Sequence, residues 1–111
     1  MTPPRGIPEV NVGQLPTDPV VLDVREDDEW AAGHIEGATH VPLGELQTRV
    51  GDLPEAEQLF VVCRGGGRSA RATVWLQAQG IDAVNIEGGM MSWAAARRPM
   101  VSESGQAPEV L

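Results

Sequence analysis

Short, unbroken runs of apolar residues alternate along this chain with stretches whose apolar positions recur every three or four residues. Val20-Val21-Leu22-Asp23-Val24 and Leu59-Phe60-Val61-Val62-Cys63 are continuous and β-branched, as strands covered on both faces tend to be. Ala83-Val84-Asn85-Ile86 forms a third run, Thr39-His40-Val41 a shorter fourth, and Glu9-Val10-Asn11 reads as an edge strand. Between them, Asp27 to Ala32 places acids in a first helical turn and Gly33 just past the end. Ser69 to Gln79 puts Ala72, Thr73 and Leu76 on one face and closes at Gly80. Leu43 to Val50 and Met90 to Arg97 are predicted as further helices. Strands alternating with helices at this spacing predict an α/β fold of three layers. A mostly parallel sheet of about five strands would be covered by helices on both faces.

The ends differ from the middle. Met1 to Pro8 holds three prolines and a glycine and is expected to form a flexible arm; residues 9–98 form the domain. Residues 99–111 are polar with two prolines, and are expected to cross the surface or stay disordered. At 111 residues there is room for one compact domain, large enough to bury a core without metal or disulfide.

Charge narrows the field further. Sixteen acidic against eight basic residues give a formal charge of −8, and all eight bases are arginine. Such a field opposes nonspecific attachment to nucleic acid or an acidic membrane, so any anion must be caught by a local basic pocket. No apolar run reaches the ~18 residues that would span a bilayer. The first residues lack an apolar signal core, which predicts a cytoplasmic location. A lone Cys63 excludes an internal disulfide and a multi-cysteine zinc site; no metal and no cofactor is expected.

That cysteine sits where chemistry is expected, at the carboxyl end of a buried strand. It opens the loop Cys63-Arg64-Gly65-Gly66-Gly67-Arg68-Ser69, which leads into the best helix. Consecutive glycines allow a sharp turn that aims N–H groups inward, and a helix N-terminus behind them favours an anion. The anion could be the sulfur itself. An ordinary thiol is about 3% thiolate at pH 7, and lowering its pKa by two makes it roughly 75% thiolate. That requires about 2.7 kcal/mol, within reach of several N–H donors with Arg64 and Arg68 nearby. The plainer reading, an inert buried thiol before a flexible turn, is favoured for an arbitrary cysteine but not in this setting. A Walker-type phosphate loop lacks its lysine, since the chain has none.

The remaining candidates read as structural. Asp23 and Arg25 are expected to form a charge-assisted pair that anchors neighbouring loops. His34 and His40 lack ligand partners at metal spacing and read as hydrogen-bonded supports. Trp30, Trp75 and Trp93 read as core or rim packing, Met90 and Met91 as gap fillers, and Glu26 to Glu29 as a solvated helix start.

Taken with its neighbours, the cysteine loop resembles that of the rhodanese family of sulfurtransferases, over roughly residues 9 to 98. Val21-Leu22-Asp23-Val24-Arg25-Glu26 is similar to the family's strand-end signature. Gly33-His34-Ile35-Glu36-Gly37-Ala38 followed by Val41-Pro42 is similar to its second hallmark, with Glu36 where many members have proline. Cys63 to Ser69 resembles the active-site loop, and Gly88-Gly89-Met90 with Trp93 the closing segment. The resemblance implies sulfur transfer in two steps through a Cys63 persulfide. The donor would be thiosulfate or another small anionic sulfane; the acceptor would be cyanide, a thiol or a partner protein. Arg64, Gly65, Gly66, Gly67, Arg68 and Ser69 would cradle the sulfur. Arg68 would guide the donor, and Ser69 would either donate to the sulfur or cap the helix. Asp23 and Arg25 would support the site. Two rivals stand behind this reading: an idle module of the same fold that binds a partner or senses oxidants, and a cysteine phosphatase. The related phosphatases have one residue more between Cys and Arg than the four found here, and histidine where this chain has Val62.

Overall fold

The structure, a computed structural model, describes residues 7–111. Most of the expected N-terminal arm (residues 1–6) lies outside the described residues. Five strands form one sheet: β1 (Glu9–Val10), β2 (Val21–Asp23), β3 (Thr39–His40), β4 (Leu59–Val62) and β5 (Ala83–Ile86). Their order is β1-β5-β4-β2-β3 and every pairing is parallel, with Val21 beside Phe60 and Leu59 beside Ala83. Among the described residues the α-helices are α1 (Asp27–Ala32), α2 (Gly67–Ala78) and α3 (Gly89–Ala95).

The period of two in each strand sends alternate residues to opposite layers. Leu22, Leu59, Val61 and Ala83 pack with Ala72 and Leu76 of α2. Val21, Phe60, Val62, Val84 and Ile86 pack with Met90 and Trp93 of α3. A core therefore lies on each face, and β4, buried at all four positions, sits at the centre.

Helix ends explain where the expectations hold and where they shift. After α2, Gly80 adopts φ 83°, Gly80 N donates to Gln77 O and Ile81 N to Leu76 O. That is a Schellman closure with the residue type it prefers. The same closure ends α3 two residues before the expected Arg97, because Arg97 itself takes φ 57°. Its N–H reaches Ala94 O and that of Arg98 reaches Trp93 O. The helix predicted over Leu43 to Val50 does not form. Two 3-10 turns, Leu43–Glu45 and Val50–Asp52, replace it. Gly44 and Gly51 lower helix propensity there, and bonds such as Leu46 N to Leu43 O are of the tighter i to i+3 kind.

The C-terminal segment crosses the surface against α1 and the start of β3's loop. Trp93 Nε1 donates to Pro99 O (3.0 Å), and His34 and Val101 exchange N–H and C=O at 2.9 Å. Glu103 N and Glu109 N donate to Ala31 O and Ala32 O, and Val110 packs on the α3 side of the sheet. Gly33 is needed here because a Cβ would overlap the backbone of Glu109. Among the described residues, no helix is long and apolar enough to cross a membrane.

Candidate active site

Cys63 follows β4 directly, so the central strand delivers its sulfur to the carboxyl edge of the sheet, where parallel sheets bind ligands. The residue is only 1% exposed. Two donors meet its Sγ: Gly66 N–H at 3.1 Å and Ser69 Oγ–H at 3.3 Å. The sulfur is thus met by one backbone amide and one hydroxyl, where the sequence led us to expect several amides. Ser69 lies inside the first turn of α2, after the N-cap Gly66, and its hydroxyl turns to sulfur; it does not cap the helix. The amides of Gly67, Arg68 and Ser69 are first-turn groups without carbonyl partners inside the helix.

Of the three loop glycines, one is demanded by backbone geometry. Gly66 takes φ 106°, the left-handed region that side chains disfavour, and this conformation turns its N–H onto the sulfur. Gly65 and Gly67 have open space where a Cβ would stand. They line the mouth above the sulfur instead of shaping the turn.

Two further elements fix the loop. The first-turn amides of α3 satisfy its carbonyls: Met90 N donates to Cys63 O at 2.8 Å and Met91 N to Arg64 O at 3.0 Å. A Cβ at Gly89 would collide with the Cys63 carbonyl oxygen, so this approach requires glycine. From β5, buried Asn85 donates through Nδ2 to Gly66 O (3.3 Å) and to Glu9 Oε2 (2.8 Å). The clue to Asn85 was a polar side chain inside an otherwise apolar strand.

Above the sulfur opens a cavity of about 380 Å³ lined by Cys63, Gly65, Gly67, Arg68 and Arg71. A depression of about 410 Å³ lies at the amino ends of β4 and β5, beside Leu59 and Asp82, and contains no nucleophile. Size therefore does not choose between them; position and chemistry do. Arg68 borders the mouth, with NH1 and NH2 bonded to Glu29 Oε1 and Oε2 at 2.7 and 2.9 Å. Its hydrogen bonds hold the Glu29 carboxyl well below the usual carboxylate range, at about 2, and Glu29 in turn raises Arg68. Glu29 thus departs from the solvated helix start read over Glu26 to Glu29, whereas Glu26, Asp27 and Asp28 are exposed as that reading has them. Glu29 Oε1 also accepts from Glu26 N at 2.9 Å in a capping box, which folds the side chain back toward the loop. Arg64 is exposed and does not line the cavity; its Nε donates to Leu111 O at 2.6 Å. Arg71, not singled out from the sequence, stands three residues beyond Arg68 on the same helical face.

The charge-assisted pair expected of Asp23 and Arg25 is present. Arg25 and Asp23 are buried together, with Arg25 NH2 at 2.7 Å from both Asp23 Oδ2 and Gly33 O. The pair ties the end of β2 to the end of α1. A carbonyl can only accept, so His34 Nδ1–H donates to Trp30 O (2.8 Å) and His40 Nε2–H to Arg25 O (2.7 Å). Both imidazoles stack on Trp30, with centroids 3.5 and 4.8 Å away.

Comparisons with known proteins point to one family. The family model of the Rhodanese-like domain matches residues 11–96. The Bacillus subtilis protein YtwF, provisionally named a sulfurtransferase, is 38% identical over 71% of this chain and 77% of its own. A sulfurtransferase of Allochromatium vinosum is 33% identical over 79% of this chain and 83% of its own. Among solved structures, a rhodanese-like domain protein from Staphylococcus aureus superposes with TM-score 0.71 and 30% identity, covering 92% of this chain and 99% of that one.

Proposed function

We propose that this chain, which belongs to the rhodanese-like domain family, is a sulfurtransferase that carries sulfane sulfur on Cys63. The observation that carries the proposal is a buried thiol sulfur with two hydrogen-bond donors on it and one open approach above it. The sulfurtransferase names of its relatives support the same reading.

In the first step the Cys63 thiolate attacks the outer sulfur of a sulfane donor. With thiosulfate, a Cys63 S–S bond forms, the donor S–S bond breaks, and sulfite leaves with the electron pair. The thiolate form is the nucleophile. In the second step cyanide or a thiol attacks the outer sulfur and Cys63 departs as thiolate. A disulfide-type bond of about 2.05 Å places that outer sulfur nearer the mouth than Sγ. Gly66 N–H and Ser69 Oγ–H stabilise negative charge on Sγ as Cys63 attacks and again as it departs, and such charge-assisted bonds are stronger than neutral ones. Arg68 keeps N–H donors not used by Glu29 and offers them to the donor at the rim, while Gly65 and Gly67 leave room for it. Asp23 and Arg25 hold the scaffold.

Steady-state kinetics with thiosulfate and cyanide test this scheme. Parallel double-reciprocal lines are expected as donor and acceptor are varied, since donor product leaves before acceptor binds. Intersecting lines would rule out a free persulfide intermediate.

A further inference from the structure

We infer that Arg71, one helical step beyond the loop, supplies the net positive charge that selects a doubly charged sulfur donor; the inference rests on the sulfur-transfer reading above. The argument begins with charge. A dianion must approach a chain of formal charge −8, so it needs an uncompensated cation at the mouth. Arg68 does not provide one. Both of its terminal nitrogens lie against Glu29, and Glu26 adds a further negative charge nearby. The Arg68–Glu29 unit is net neutral: it can donate hydrogen bonds but exerts little attraction from a distance.

Arg64 is positive but turned away, with its Nε on Leu111 O and its side chain outside the cavity. Arg71 differs from both. It lines the cavity with Cys63, it is exposed, and it has no ion pair or hydrogen bond among the described residues. Gly67, Arg68 and Arg71 share the face of α2 that looks over the sulfur, because three and four residues make one turn. A sulfonate group whose outer sulfur has entered the mouth would leave its oxygens at the rim, where Arg71 can meet them. Arg71 thus acts on donor binding and not on the bond exchange itself.

The test compares two donors that undergo the same reaction with different charge. Thiosulfate transfers its outer sulfur and releases sulfite; methanethiosulfonate, a monoanion, transfers its outer sulfur and releases methanesulfinate. Thiocyanate formation with cyanide is followed for wild type, Arg71→Ala and Arg71→Glu. For Arg71→Ala the KM for thiosulfate is expected to rise about fivefold to tenfold, the span of a partly exposed charge pair. For methanethiosulfonate the rise is about twofold to threefold, half as large on a logarithmic scale, and Arg71→Glu exceeds Arg71→Ala for both. The turnover number stays within about twofold, as expected when ground and transition states lose the same contact. Equal shifts for both donors, or no shift for thiosulfate, would overturn the inference while leaving sulfur transfer intact. Absence of thiocyanate from wild type with either donor would instead overturn the sulfur-transfer reading, and this inference with it.

Discussion

Replacing Glu29 by Gln keeps the shape of the side chain and the oxygen that accepts from Glu26 N, but removes the charge that faces Arg68. The two bonds, 2.7 and 2.9 Å, form a fork against a fork, the strongest geometry available to a guanidinium. At about 1.36 kcal/mol per pH unit, the fall of the Glu29 pKa from 4.5 to about 2 corresponds to roughly 3 kcal/mol, owed first to Arg68 and in smaller part to the Glu26 N–H. The Arg68 side chain is 28% exposed and Glu29 14%, so water screens part of this. A loss of about 1–2 kcal/mol at pH 7 is expected, or roughly 4–10 °C in Tm for a domain of this size. The pH dependence is more diagnostic than the size. A carboxyl whose folded-state pKa is lowered stabilises the fold above its unfolded value and loses that contribution as pH falls through the folded one. The gap between wild type and Glu29→Gln should therefore be constant above pH 5, shrink below 4.5 and close near 2. Urea unfolding at a series of pH values measures it. A gap that persists undiminished at pH 2.5, or one absent at pH 7, would refute the assignment of an ionic tether between α1 and the cysteine loop.

Three further outcomes follow from the same contacts. Gly66→Ala should destabilise by about 1–2 kcal/mol through its left-handed backbone, whereas Gly65→Ala should change thermal stability by less than about 0.5 kcal/mol. Equal losses in the two variants would show that the turn is shared. Arg25→Ala leaves Asp23 charged and buried, and is expected to cost about 3–5 kcal/mol in chemical unfolding; a loss under 1 kcal/mol would contradict the buried pair. Ser69→Ala removes one of the two donors to sulfur, and should slow loading by thiosulfate about tenfold with little change in Tm. Unchanged single-turnover rates would remove Ser69 from the cradle.

What could be read from the sequence was what depends on near neighbours. Leu59 to Val62, the glycines after Cys63 and the apolar face of Ala72, Thr73 and Leu76 are local signals. Together they placed a strand, a turn and a helix where the structure has them. The Asp23–Arg25 pair was legible for the same reason, being two residues apart. Leu43 to Val50 forms isolated 3-10 turns and no helix, because Gly44 and Gly51 weaken the helical backbone at either end of that stretch. The remaining features depend on distant partners. Glu29 meets Arg68 across 39 residues and Arg64 meets Leu111 across 47, separations at which a side chain leaves no periodic trace. Asn85 carried a trace, a lone amide in an apolar strand, whose meaning appears only once Gly66 O is beside it. Arg71 had the right spacing from Arg68, yet its significance arises from the neutralisation of Arg68, which is itself a tertiary event.

The most direct measurement is the intact mass of the purified protein after incubation with thiosulfate, read beside a folded Cys63→Ser variant. Wild type should gain one sulfur atom, lose it on addition of cyanide, and the variant should gain none. Sulfur retained by Cys63→Ser to the same extent would contradict the account, as would an unchanged wild-type mass while Cys63 remains open to alkylation.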